Sequence, residues 1–415
     1  MHYVPDWVKS DTATYPRMKT RTGTPIDVLS PNEPANLDAD RAAFTALMRH
    51  LKQADPQHTV IMMQVENESG SLGSVRDFSP TAQKQFAGVV PDALVRGLNK
   101  QPGTWAQVFG DDADAIFAAW SVSSYIGQVA AAGKHELALP MYANNWLKSP
   151  RAYPVQTIPG DDYPSGGPTI NMIPVWKSAA PPLDMIAPDI YVPNSENYQQ
   201  VMRDFHTANN PLLVPESLGF EPFSGASGCG RPLFFAVGHG AIGFGNFGID
   251  RVSLDPPLFP EIAASIEGFR LLGGFVDQLA ALAFAGKVKT AVEDNGIAQR
   301  ELDFDATRIV VSYPPAYDPQ ASTVSTTSDT SHLKEGRVLV GQLGENEFLV
   351  AGIDCHVQFL PSVHSTKQMQ RLKVEEGHYE GENWVATRLW NGDETDNGLN
   401  FGGKGSLLHV KVGTY

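Results

Sequence analysis

Gln64-Val65-Glu66-Asn67-Glu68-Ser69-Gly70 closes the apolar run of residues 60–65, setting two carboxylates and an amide at the end of a buried strand. Burying unpaired polar groups is costly, so three of them together at a strand end are poor filler. In barrels of parallel strands, the carboxyl ends of the strands are where chemical groups are gathered. Upstream, Phe44, Leu47, Met48 and Leu51 fall at i, i+3, i+4 and i+7, one stripe of a helix. Downstream, a helix carrying Ile116, Phe117 and Trp120 is expected to stop near Gly133-Lys134, and residues 137–145 follow as the next strand. After a loop rich in proline and glycine at 150–169, residues 185–192 read as a strand, and Tyr198, Val201, Met202 and Phe205 form another helical stripe. Residues 212–215 and 241–244 continue the series of strands, and Leu271, Leu272, Phe275, Leu279 and Leu282 read as one strongly apolar closing helix. Strands alternating with helices in this way indicate βα units around a parallel sheet.

From about Lys287 the texture changes. Strands at 308–312, 337–340, 348–353, 384–390 and 407–412 recur without helices between them, which predicts an antiparallel, sandwich-like domain. The expected organisation is therefore a barrel-type catalytic domain over 1–286 and a β-sandwich-like domain over 287–415. The loop at 322–331 is almost all serine, threonine and aspartate and carries no chemistry.

A chain of 415 residues accommodates two or three domains, or one large barrel with an appendage. Its net charge of −15 sets it against phosphate backbones and anionic lipid, which excludes nucleic acid and membrane surfaces as partners. No apolar run reaches the roughly 18 residues of a membrane span, and the first residues lack the build of a signal peptide. Cys229 and Cys355 are too few for a disulfide framework and wrongly spaced for zinc. No metal or organic cofactor is expected.

A second strand end matches the first. Residues 212–214 run into Pro215-Glu216-Ser217, a lone glutamate after an apolar run. Two carboxylates at two strand ends are what glycoside hydrolysis needs, one protonating the leaving oxygen while the other attacks the anomeric carbon or activates water. Each glutamate alone also reads as a surface residue; the pair supports the catalytic reading. Glu66 is either a binding residue or an ion-pair partner that props up the site.

The string Gln-Val-Glu-Asn-Glu-x-x-Gly, with Pro-Glu on a later strand, resembles the glycoside hydrolases of clan A, and closest the family 35 β-galactosidases, over roughly residues 1–285. The resemblance implies that Glu68 is the general acid/base, that Asn67 hydrogen-bonds the sugar 2-hydroxyl, that Glu216 is the nucleophile and that Tyr191 orients it. Tyr3-Val4-Pro5-Asp6-Trp7-Val8 is similar to the stretch following the third barrel strand in that family, which implies a (β/α)8 barrel lacking its first three βα units in this chain. The galactose 4- and 6-hydroxyl ligands of the family then have no counterpart here. The implied activity is a retaining, exo-acting β-galactosidase on oligo- or polysaccharides, with a periplasmic or secreted location. A β-glucosidase or another clan A enzyme is the nearest alternative, a non-catalytic carbohydrate-binding protein or inactive fragment the more distant one. A homo-oligomer is left open.

Other motifs read as structure. Gly344-Glu345-Asn346-Glu347 repeats the acidic string between two strands, where it is expected to be a hairpin turn. Gly243-x-Gly245-x-x-Gly248 follows a strand, but Pro256, Pro257 and Pro260 deny it the helix N-terminus a pyrophosphate needs, and Asn246 and Phe247 are expected to line the cleft mouth instead. Asp354, Cys355 and His356 are strand neighbours facing opposite sides and cannot share a metal. Trp146, Trp176 and Phe223 stand where an aromatic platform under a sugar ring would be useful, and where loop packing would place them equally.

Overall fold

The computed structural model describes residues 4–148, 157–192, 195–217, 230–250, 263–294, 297–313 and 336–415. Phe223, Cys229, Pro256, Pro257, Pro260 and the 322–331 loop lie outside the described residues. The chain divides into two compact units: Met1–Ile190 with Gln200–Pro215, and Tyr191–Gln199 with Glu216–Tyr415. The second unit thus begins upstream of the change of texture at 287.

In the first unit the helix Pro34–Ala54 starts on a proline, whose missing N–H costs nothing there. At its far end Asp55 accepts from the backbone N–H of Thr59 (2.9 Å) and Val60 (2.7 Å), turning the chain toward the sheet. Three strands, Met63–Gln64, Met141–Trp146 and Met185–Ile190, pair in parallel, with Met63 opposite Met141 and Trp146 opposite Asp189. The first is shorter than the apolar run 60–65, because Val60 is tied back to Asp55 and Ile61 faces solvent. Backbone bonds from Met63 N to Pro140 O and Val65 N to Tyr142 O nevertheless deliver residues 66–68 at the end of that ladder. Pro140 and the turn at Leu137 hold the second strand's start back to Met141. Leu213 packs on Met185 and Ala187, with Met62 and Tyr142 beside them.

The helix Ala113–Glu136 packs against the helices Pro34–Ala54 and Ile173–Ala179, burying Phe117, Ile126, Val129 and Ala130. It approaches its neighbours through glycines. A Cβ on Gly127 would stand 2.8 Å from the Ala180 Cα, and one on Gly133 would strike the Phe44 ring. Contrary to the expectation that no apolar run is long enough, the stretch Trp105–Glu136 has the length and apolar content of a membrane-crossing helix; half of its most apolar part is buried, as in a core helix. Among the described residues of this unit the parallel ladder counts three strands.

The helix Ser195–Phe205 buries all four residues of its predicted stripe, Tyr198, Val201, Met202 and Phe205. The apolar stretch 271–282 forms two helices rather than one, Ala263–Gly273 and Val276–Phe284, because Gly273-Gly274 breaks the ladder and Phe275 leaves helical geometry. Among the described residues, the strands from Val288 onward form two antiparallel sheets. In one, Gln299–Phe304, Thr307–Ser312, Cys355–Pro361 and Leu399–Phe401 lie in that order; the other runs Asn383–Leu389, Met369–Glu380, Ser406–Thr414, Glu347–Ile353, Arg337–Gly344 and Val288–Val292. Phe304, Ile309, Val357 and Phe401 from the first meet Val340, Phe348, Val350 and Val410 from the second in one apolar core. Gly344 pairs with Glu347 across the expected hairpin turn. Five described strands of these two sheets were not evident from pattern: Val288–Val292, Gln299–Phe304, Cys355–Pro361, Met369–Glu380 and Leu399–Phe401. Met369–Glu380 is rich in charge and buries only Val374, which hides its alternation.

Candidate active site

Val65 makes the last backbone bond of its ladder, and the chain then turns sharply. Glu66 and Glu68 both adopt left-handed backbone, with φ of 61° and 42°. Residues other than glycine rarely sit there, and such strain persists where surrounding contacts over-determine it, most often at functional sites. Here the contacts come from Asn144 on the adjacent strand. Its Oδ1 accepts from Glu68 N (2.8 Å), while its Nδ2 donates to Asn67 Oδ1 (2.9 Å) and to Asp189 Oδ2 (2.8 Å). Gln64 Nε2 also donates to Asn67 Oδ1, at 2.9 Å. Asn144 and Asp189 are 1% and 2% exposed, so the network sits beneath the Asn67-Glu68 turn rather than on the surface.

Glu66, Asn67 and Glu68 line a cavity of about 490 Å³, within the range of small-molecule sites. Asp40, Tyr125, Trp7 and Tyr15 face the same space, and the Trp7 and Tyr15 rings meet edge to face at 5.4 Å. Glu66 keeps surface open to the cavity, but the enclosing protein strips part of its hydration, and the Asp40 carboxyl beside it opposes its charge; together they raise it to about 8. The same causes, burial first and then Asp40 and Glu66, push the Tyr125 hydroxyl upward. Tyr125 donates to Asn36 O at 3.1 Å. Glu66 thus lines the cavity beside a second carboxyl, that of Asp40. Trp146 ends its strand opposite Asp189 and is 38% exposed, whereas Trp176 is fully buried and donates from Nε1 to Gly166 O (3.1 Å), a core residue and no platform.

In the second unit, Tyr191 Oη donates to Glu216 Oε2 at 2.8 Å. The Tyr191 ring meets Phe247 edge to face at 6.2 Å. Ser217, next to the glutamate, is held by Tyr198 Oη through its hydroxyl (2.6 Å) and by Phe247 N through its carbonyl (3.0 Å). Asn246, expected at the cleft mouth, is buried and directs its Nδ2 at Ser217 O (3.4 Å), so it braces the glutamate's backbone. Of the residues singled out from sequence, Glu66, Asn67, Glu68 and Trp146 fall in the first unit, Tyr191, Glu216 and Asn246 in the second.

Cys355 lies in the apolar core, where burial raises its thiol, and His356 points to the other face, with Nδ1 against Asn400 Oδ1 (2.8 Å). The two do not converge on a common ligand. Asn144, Asp40 and Tyr125 were not singled out from the sequence. The available signal for Asn144 was its place: Asn144-Asn145 ends an apolar strand as Glu66 to Glu68 do.

A family model described as a domain of unknown function (DUF5597) matches residues 266–402. A comparison with curated proteins gives no match. Among solved structures, the catalytic domain of a β-amylase from Paenibacillus polymyxa is similar over 64% of this chain and 75% of its own, with 12% identity and a TM-score of 0.42. The endo-β1,6-glucanase BT3312 is similar over 96% of this chain and 68% of its own, with 12% identity and a TM-score of 0.34. At such distances the chemistry has to be argued from the side chains.

Proposed function

We propose that the protein is a retaining glycoside hydrolase in which Glu68 is the general acid/base and Glu216 the nucleophile. The observation that carries the reading is the strained Glu66–Glu68 turn, pinned from below by Asn144 at the carboxyl end of a parallel strand. Left-handed backbone at non-glycine residues clusters at active sites, and here two such glutamates stand side by side at a cavity. Support for the nucleophile comes from Tyr191, whose hydroxyl holds one Glu216 oxygen and so sets the direction of the carboxylate. In this reading the parallel strands belong to a barrel-type catalytic domain reaching to residue 286, and the antiparallel sheets of 287–415 are accessory.

Glu68, protonated, donates to the glycosidic oxygen as Glu216 attacks the anomeric carbon. The leaving group departs with that proton, and Glu68, now ionised, takes a proton from water as it displaces Glu216 from the glycosyl-enzyme. Retention requires the two carboxyl groups about 5 to 5.5 Å apart; a gap of about 6.5 to 9.5 Å belongs to inverting enzymes. The finer assignment is to terminal β-galactosides, on the strength of the Gln-Val-Glu-Asn-Glu and Pro-Glu strings, with β-glucosides as the competing substrates.

A panel of nitrophenyl β-glycosides tests the substrate, the galactoside being hydrolysed fastest. Glu216→Gly is expected to abolish turnover and to be rescued by azide with inverted product. Glu68→Ala is expected to keep activity on substrates whose leaving group needs no proton. Exchanged rescue patterns would reverse the two roles, and no turnover of any glycoside by the wild type would refute the reading.

A further inference from the structure

The amide of Asn144 can face only one way. Glu68 N–H can only donate, so the atom of Asn144 that meets it at 2.8 Å is the carbonyl oxygen. Its NH2 group then points to Asp189 Oδ2 and to Asn67, at 2.8 and 2.9 Å. The atom of Asn67 that meets this NH2 must accept, and it is the same Oδ1 that accepts from Gln64 Nε2. Asn67 therefore turns its carbonyl toward the protein, which leaves its own NH2 as the group it has to offer the cavity it lines. The orientation passes from Asp189 to Asn144 to Asn67 without a free choice at any step.

We propose that Asn144 is a positioning residue that makes Asn67 a hydrogen-bond donor toward the substrate hydroxyl beside the anomeric carbon, while pinning the backbone of Glu68. The inference rests on the glycosidase reading above and adds a residue to it. Asn144 does not touch substrate. It acts through Asn67, whose bond to that hydroxyl strengthens in the transition state of glycoside cleavage. Its near-complete burial, with three of its four hydrogen-bonding positions used, gives it no surface role.

Asn144→Asp is the informative change, because beside Asp189 the new carboxyl keeps one proton, which bonds the two carboxyls together, while its other oxygen still accepts from Glu68 N, so no donor is left for Asn67. Asn67 then gains by turning its NH2 inward, which presents a carbonyl oxygen where a donor stood. For a β-glycoside bearing the 2-hydroxyl, kcat/KM is expected to fall about 100-fold, the scale for losing one transition-state donor, with most of the loss in kcat. For the matching 2-deoxy glycoside, which lacks the hydroxyl, the change is expected to stay within about threefold. A residue that merely held the fold would depress both substrates alike. If Asn144→Asp is too unstable to assay, Asn144→Ala reads the same ratio, since it too removes the donor to Asn67. Equal losses on the two substrates, with wild-type turnover intact, would overturn the role of Asn144 and leave the glycosidase reading standing. A wild-type protein inactive on both would overturn that reading and this inference with it.

Discussion

Glu66 shows at the scale of a single residue what the cavity does to ionisation. In the unfolded chain its carboxyl loses its proton near 4.5; in the folded protein, enclosure and the neighbouring Asp40 carboxyl hold the proton to about 8. Between those two values the folded state binds more protons than the unfolded state, so the contribution of Glu66 to stability falls as pH rises through that window and levels off above it. Glu66→Gln removes the titration. Relative to wild type the variant is expected to gain stability on going from pH 5 to pH 8.5, read as the difference in urea midpoints; an unchanged difference would show that Glu66 titrates normally. The sequence made Asn67 and Glu68 legible because their types and their place after an apolar run are both local. Asn144 and Asp40 were illegible because their roles depend on partners 77 and 26 residues away, across a strand pair and from a helix.

Elements of secondary structure are held here by a few single-residue devices. Asn210 is fully buried and imitates a neighbouring strand: its Oδ1 accepts from Ile186 N (2.8 Å), and its Nδ2 donates to Ile186 O (2.9 Å) and Phe205 O (2.7 Å). Asn210→Ala strands those buried backbone groups, at a cost of about 3 kcal/mol, measured by chemical denaturation; a loss below about 0.5 kcal/mol would mean water replaces the side chain. At Gly127 the helix Ala113–Glu136 meets backbone, at Ala180, and backbone cannot step aside as a side chain can. Gly127→Val is expected to destabilise by about 1–3 kcal/mol through overpacking. The helical stripe of Tyr198 to Phe205 was readable because its period matches its burial. The closing helix was misread as continuous since apolar spacing carried across Gly273-Gly274, and the strand Met369–Glu380 was missed since its inward residues are few and its outward ones charged.

Over the whole molecule, the antiparallel sheets have a core of their own, centred on Phe348, Val350, Val357 and Val410. Phe348 is fully buried and stacks near Phe304 and Phe359, with centroids at 5.5 and 5.4 Å. Phe348→Ala is expected to cost about 3–5 kcal/mol. With two cores, calorimetry is expected to resolve two transitions, of which this substitution lowers only one; a single transition moving as a whole would show that the units unfold cooperatively. The run of strands without helices between them from about residue 287 was legible from periodicity, whereas five of those strands were not. The division of the chain at Ile190 and Pro215 was not, because it follows contacts between distant segments rather than any local shift in composition.

Trapping with a 2-deoxy-2-fluoro β-galactoside bearing a good leaving group tests the central claim most directly, since the fluorine slows breakdown of a glycosyl-enzyme and lets its position be mapped by peptide mass spectrometry. The account predicts one covalent sugar per chain, on Glu216, formed with wild-type protein and absent from Glu216→Gly. A sugar carried by Glu68 or by any other residue, or turnover of the unfluorinated galactoside with no covalent species at all, would contradict it.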